Sequence, residues 1–196
     1  MSIKYPFSEL EHDIRSVLAV NQDYSAIVDQ IRPFLEKLLQ TENLVPASYL
    51  KPQADKYAQY LLYKPEDEAF SVIAFVWGAG QKAPVHDHLI WGLVGVYTGE
   101  LVETRYRRID NGLAAAQQFI LEIAKTIQVV KGDISFVYPP KYDIHGVSNL
   151  SDDTAITIHI YGADIGKKPR HIHDPLTGSL RDVVTKHDNA EAIYLS

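Results

Sequence analysis

Apolar residues recur at helical spacing in the first quarter of the chain and at strand spacing after it. In "DYSAIVDQIRPFLEKLLQ", Ile27, Ile31, Phe34, Leu35, Leu38 and Leu39 repeat as one face of a helix. Asp23 or Ser25 is available as its cap, and Pro33 inside it predicts a kink or a split in two. A shorter helix is expected over "FSELEHDIRSVLAV". From about Tyr57 the period changes. "QYLLY", "FSVIAFVW", "LIWGLVGVY", "LVETRYR", "FILEI", "TIQVV", "ISFVY", "IHGVSN" and "AITIHIYG" are short and rich in β-branched and aromatic residues. Turn signals separate them: "GAG", "TGE", "DNG", "KGD" and "SDD". Many short strands at even spacing predict a sandwich or barrel rather than alternating strand–helix units. Beyond Gly166 the chain is broken by Pro169, Pro175 and Gly178 and reads as less regular. The expected architecture is a single, mainly β domain over 1–196. A helical segment, 1–45, packs outside a barrel formed by 57–165.

Composition narrows the function. The 196 residues suit one domain, and 46% hydrophobic with 22% charged residues is ordinary for a globular chain. A net charge of −6 without a basic stripe argues against a nucleic-acid partner. The absence of cysteine excludes disulfides, thiolate metal sites and a cysteine nucleophile together. "MSIKYPFSELEHD" has neither the apolar stretch nor the cleavage site of a signal peptide, and no apolar run has membrane-spanning length. A cytoplasmic protein without a membrane partner is the expectation; the oligomeric state stays open.

The chemistry lies in the eight histidines. "PVHDHLIWG" sets His86 and His88 one residue apart in a run that reads as buried strand, so both rings should face one way. Two readings follow: a satisfied polar pair in a core, or two ligands of a metal that His145 completes. In "TAITIHIYG", Thr157, His159 and Tyr161 share one strand face, opposite Ile156, Ile158 and Ile160. That face is a structural network, a solvent-facing side, or a relay that fixes the Tyr161 hydroxyl. A second H-x-H, His171 and His173 in "RHIHDP", sits in a Pro-flanked segment and is not expected to bind metal. Trp77 and Trp91 read as core or pocket wall.

Gly80, Gly99 and Gly132, with Pro140 and Asn149 flanking His145, resemble the two motifs of the cupin superfamily. That resemblance implies a double-stranded β-helix, or jelly-roll, barrel with the metal between the motifs. The first motif's usual glutamate ligand is missing: Trp91, Gly92 and Leu93 stand there, and Tyr142 replaces a glycine of the second. Three neutral imidazoles leave the charge of a divalent metal uncompensated, which suits an anionic bidentate substrate such as a thiolate with a nearby carboxylate. Metal coordination would also deprotonate a thiol whose free pKa is about 8.5.

"FVWGAGQKAPVHDHLIWGLVGVYTGE", "HGVSN" and "ITIHIYGADIG" together resemble a bacterial thiol dioxygenase of the cysteine dioxygenase type, over most of Tyr57 to Arg170. The resemblance implies Fe(II) on His86, His88 and His145, with O2 as co-substrate. It implies a Ser-His-Tyr triad at Thr157, His159 and Tyr161, with threonine in place of serine. Gly92 stands where the animal enzymes carry a cysteine crosslinked to the tyrosine; here no such crosslink can form. Gln59, in "KYAQYLLY", matches the carboxylate-binding arginine of the cysteine enzymes and is similar to the glutamine of the 3-mercaptopropionate subgroup. Arg170 matches a second anchor in that subgroup, though as a residue it reads equally well as a solvated loop arginine. Tyr57 is placed along the same wall. The implied partner is a small thiol carboxylate, 3-mercaptopropionate before cysteine, oxidised to its sulfinate. The alternatives are a Ni- or Zn-dependent ring-cleaving or isomerising cupin, and a non-enzymatic ligand-binding cupin.

Overall fold

The computed structural model describes residues 5–110 and 119–195. The turn expected at "DNG" runs outside the described residues. Two helices, α1 (Phe7–Val20) and α2 (Tyr24–Leu39), precede eleven strands. These are β1 (Ala58–Tyr63), β2 (Ser71–Trp77), β3 (Lys82–His86), β4 (Gly92–Thr98), β5 (Glu100–Arg108) and β6 (Leu121–Val130). They continue as β7 (Ile134–Val137), β8 (Ile144–Ser148), β9 (Ala155–Tyr161), β10 (Arg170–His173) and β11 (Leu180–Val183). Two antiparallel sheets form the barrel: β1-β2-β9-β4-β7, and β11-β10-β3-β8-β5-β6. The mainly β class with helices outside is therefore the observed one.

The two sheets differ in what covers them. The first is buried on both faces, so β2 and β9 are buried at every position. Val72, Ala74, Val76, Ile156, Ile158 and Ile160 pack against Leu10, Ile14, Ile31, Leu35 and Leu38 of the helices. Each fully buried Ile or Leu contributes roughly 1.5–3 kcal/mol. The opposite face of the same strands, with Ile73, Phe75, Trp77 and Tyr161, meets Ala83, Leu101 and Val147 of the second sheet inside the barrel. Alternation along β9 thus gives one face to the helices and the other, with Thr157 and His159, to the interior.

Three expectations change. α2 is one helix despite Pro33: that ring is exposed, and so is Asp29, whose carbonyl loses its partner and can turn to water. Asp23 is the cap, accepting from the Ala26 N–H at 2.9 Å. "FILEI" and "TIQVV" are the two ends of β6, joined through a bulge at Ala124, which has no partner between Tyr106↔Ile123 and Arg105↔Lys125. The tail expected to be irregular forms the β10–β11 hairpin, and β10 joins the second sheet through Ile172↔His86. Farther on, the chain covers the edge of β1: the Asp188 N–H donates to Gln59 O at 2.8 Å and the Ile193 N–H to Leu61 O at 3.1 Å. Among the described residues no helix is long and apolar enough to cross a membrane.

Candidate metal centre

His86 ends β3, directly opposite His145 of β8. His88 reaches the same place by a different route from the one its spacing predicts. The strand stops at His86, and the chain turns through Leu89 at φ 60. The Asp143 carboxylate braces this bend, accepting the N–H groups of His88 at 3.0 Å and Leu89 at 3.1 Å. Burial pushes the Asp143 carboxyl up to about 6, against the pull of those two bonds. The three rings lie 4.7–4.9 Å apart by centroid, and their candidate ligand atoms all fall within 4.8 Å of one another.

Hydrogen bonding selects which nitrogen each ring offers. Nδ1 of His86 lies 2.8 Å from Pro84 O, Nδ1 of His88 3.0 Å from Asp143 O, and Nδ1 of His145 2.8 Å from Glu103 Oε1. All three acceptors fix the hydrogen on Nδ1 and leave the Nε2 lone pair free, the arrangement a metal ligand needs. His88 Nε2 is buried with no partner at all. Burial, with the neighbouring imidazoles, holds His86 and His88 well below the usual histidine range, so neither is protonated near neutrality. The donor set fits a divalent transition metal. Glu103 supplies the carboxylate that the motif lacks, one bond removed from the centre. Burial alone would raise its pKa, but His145 and Arg105 outweigh that and bring it to about 2.

The second H-x-H does something else. The Asp87 carboxylate, between His86 and His88 in sequence, accepts from the His171 N–H and His171 Nδ1, both at 2.7 Å, and from His173 Nε2 at 3.0 Å. β10 is thereby pinned to the ligand-bearing bend. Among the described residues His86, His88 and His145 are the one such cluster.

Thr157, His159 and Tyr161 are buried and bonded in series. Thr157 Oγ1 lies 2.8 Å from His159 Nε2, and His159 Nδ1 lies 2.7 Å from the Tyr161 hydroxyl. The solvent-facing reading of this face is excluded. Burial pushes the Tyr161 hydroxyl well above its ordinary pKa, with Arg170 opposing, so Tyr161 keeps its proton. Its ring stacks on His88 at 5.5 Å. A Cβ at Gly92 would stand 2.5 Å from Tyr161 Cδ1, so Gly92 lets this ring pack against β4.

A tight cavity joins these groups, lined by the three histidines, His159, Tyr161, Tyr57 and Arg170. Phe75, Trp77, Ala83 and Val147 close its apolar side. Arg170 is 6% exposed rather than solvated, and its Nη1 donates to Ile165 O at 3.2 Å. Among the described residues no carboxylate lies within ion-pair distance of it. Gln59 is also buried, opposite Phe75 in the β1–β2 register. Its amide nitrogen is turned to the tail, 3.1 Å from both Thr185 O and His187 Nδ1, while Oε1 has no partner. It is not part of the cavity lining. A larger open groove of about 740 Å³, beside Leu39, Tyr97 and Lys131, lies apart from the histidines.

The family model for cysteine dioxygenase type I matches residues 14–167. The chain belongs to this family. Membership places it among thiol dioxygenases of cupin type, and the three-histidine cluster fits the metal cofactor of such an enzyme. Among solved structures it is similar to an uncharacterised Klebsiella pneumoniae protein with a double-stranded β-helix domain, at 16% identity and TM-score 0.42, covering 59% of this chain and 84% of that one. A cupin superfamily protein of Desulfitobacterium hafniense gives 17% identity and TM-score 0.42, with 61% and 88% covered. A protein of Thermus thermophilus gives 19% and 0.44, with 59% and 91% covered.

Asp87, Glu103 and Asp143 were not anticipated from sequence. Glu103 had a legible signal, since it shares a strand face with buried Leu101 in "LVETRYR". Asp87 and Asp143 had none beyond standing beside the histidines.

Proposed function

We propose that the protein is an Fe(II)-dependent dioxygenase that adds both atoms of O2 to the sulfur of a small thiol carboxylate, giving the sulfinate. The observation that carries this reading is the Arg170 guanidinium, buried in the cavity that the three histidines line with no carboxylate at ion-pair distance among the described residues. A buried cation of this kind is costly unless an anion lies beside it. A carboxylate is the anion whose planar oxygens match the guanidinium fork. His86, His88 and His145 would hold Fe(II), which when bound would supply Lewis acidity toward the thiol and the electrons that let O2 react with it.

The remaining groups bind, orient and exclude water. Arg170 anchors the carboxylate at one end, which directs the sulfur toward the histidine cluster at the other. Tyr161, protonated and aimed by His159, donates a hydrogen bond to the substrate or the oxygen it takes up. Tyr57, Phe75 and Trp77 form the wall that keeps water out, with Gln59 behind it. Asp and Glu are missing from the cavity lining among the described residues. A substrate ammonium would be buried beside Arg170 without a counter-charge, which favours 3-mercaptopropionate over cysteine.

The test is O2 consumption by the Fe(II)-loaded protein with 3-mercaptopropionate and with cysteine, the sulfinate being identified by mass. Faster turnover of 3-mercaptopropionate is expected. No turnover with any small thiol would remove the dioxygenase reading.

A further inference from the structure

Trp77 ends β2 inside the barrel, its ring 4.4 Å from that of Tyr57 by centroid. Its indole nitrogen lies 3.0 Å from Thr157 Oγ1 and, unlike every other group in the series, can only donate. Thr157, His159 and Tyr161 could in isolation be hydrogen-bonded in either direction. A hydroxyl supplies one hydrogen, and so does a neutral imidazole. Burial keeps His159 neutral.

If His159 carried its hydrogen on Nε2, Thr157 would accept from both Trp77 and His159. Its own hydrogen would then need a third partner. Among the described residues Thr157 Oγ1 makes no third hydrogen bond, and turning that hydrogen toward Trp77 would set two donors face to face. An unpaired buried O–H is costly. With the hydrogen on Nδ1 instead, Thr157 accepts from Trp77 and donates to His159, and His159 donates to Tyr161. Every donor up to Tyr161 is then used, and the Tyr161 hydrogen points away from His159, on the ring that lines the cavity.

We propose that Trp77 sets the direction of this hydrogen-bond series, its indole N–H making Thr157 the donor to His159 so that Tyr161 presents its hydrogen to the bound ligand. Trp77 acts through Thr157 and is a positioning residue. The use made of the Tyr161 hydrogen rests on the proposed reaction; the direction of the series does not.

The direction is read from ¹⁵N–¹H long-range correlation spectra of the Zn(II)-loaded protein, which report the His159 tautomer without substrate or turnover. The hydrogen is expected on Nδ1. Trp77→Phe keeps the aromatic stack but opens the space beside the Thr157 hydroxyl, and is expected to give a mixture of tautomers. Thr157→Val removes the same bond from its other end, and Thr157→Ser restores the wild-type spectrum. In thiol oxidation each loss should lower kcat about tenfold, with KM changed less than about twofold. The Trp77→Phe, Thr157→Val double variant should fall no further than Thr157→Val alone, because Trp77 acts only through the hydroxyl that valine lacks. A wild-type hydrogen on Nε2, an unchanged Trp77→Phe spectrum, or additive losses would overturn the proposal. If Trp77→Phe does not fold, the wild-type and Thr157→Val spectra still decide it. Absence of turnover in the wild type would count against the reaction alone, since the spectra need none.

Discussion

His86/His88 and His171/His173 are the same three-residue pattern with opposite uses. In the first pair both Nδ1 atoms are bonded to backbone oxygens, Pro84 and Asp143, so the outer nitrogens are left to converge with His145. In the second pair the side-chain nitrogens converge on the Asp87 carboxylate, which takes the place a cation would need. The second pair is the one that sits on a true strand, one face of β10; the first straddles the end of β3. Alternation along a strand is therefore neither needed nor enough for a metal site. What distinguishes the pairs is the partner each ring meets. Asp87 couples them, because it lies between the first pair in sequence and beneath the second in space.

The comparison breaks most sharply at His88. His88→Ala should lower metal content and thiol oxidation by on the order of 10³ or more, whereas His173→Ala should retain the metal; equal metal loss in both would erase the distinction. Next is Arg170, which the second pair's strand carries into the first pair's cavity. Arg170→Gln should lower kcat/KM by about 100-fold, chiefly through KM, if Arg170 is the charged partner of the substrate carboxylate as proposed. Steady-state kinetics at saturating O2 would measure it.

Asp87→Asn should uncouple the pairs. Metal affinity should fall about 10- to 100-fold, read by competition with a chromophoric chelator. Acid should do the same to the wild type. Burial pushes the Asp87 carboxyl up, but the bonds from His173 and His171 win and hold it at about 2, below its ordinary 3.8. A depressed carboxyl adds stability that is whole above its unfolded value and is lost as pH falls through its folded one. The difference in denaturant stability between wild type and Asp87→Asn should thus be constant above about pH 5 and shrink toward about pH 2. A difference that grew on acidification would contradict the bonding seen here. The smallest effect is expected at His171, whose side chain is 32% exposed and whose backbone N–H also holds Asp87. His171→Ala should cost about 0.5–1.5 kcal/mol in urea denaturation and leave metal content unchanged.

Much of this was legible from residue order. The helical repeat from Ile27 to Leu39 marks the buried face of α2, and the alternation of "TAITIHIYG" marks which residues share a face, because both depend only on backbone period. The metal-centre histidines and the Thr157–Tyr161 series were legible as types at a spacing. The β10–β11 hairpin was not, because Pro169 and Pro175 flank strands that pair only with each other and with the end of β3. Nor does Pro33 split α2 in two, since solvent meets the carbonyl that proline leaves free.

By itself, the sequence determined the helical first quarter and the mainly β remainder, the absence of cysteine chemistry, and the set of imidazoles available as ligands. Only the tertiary structure decided which nitrogen each imidazole offers, which histidine pair turns its ring nitrogens onto Asp87, and that Arg170 is buried with no carboxylate at ion-pair distance among the described residues. The reason is range: periodicity acts over three or four residues, but a hydrogen bond is decided within about 3 Å. Glu103 and His145, 42 residues apart, and Asp87 and His171, 84 apart, come that close only when the two ends of the second sheet are assembled.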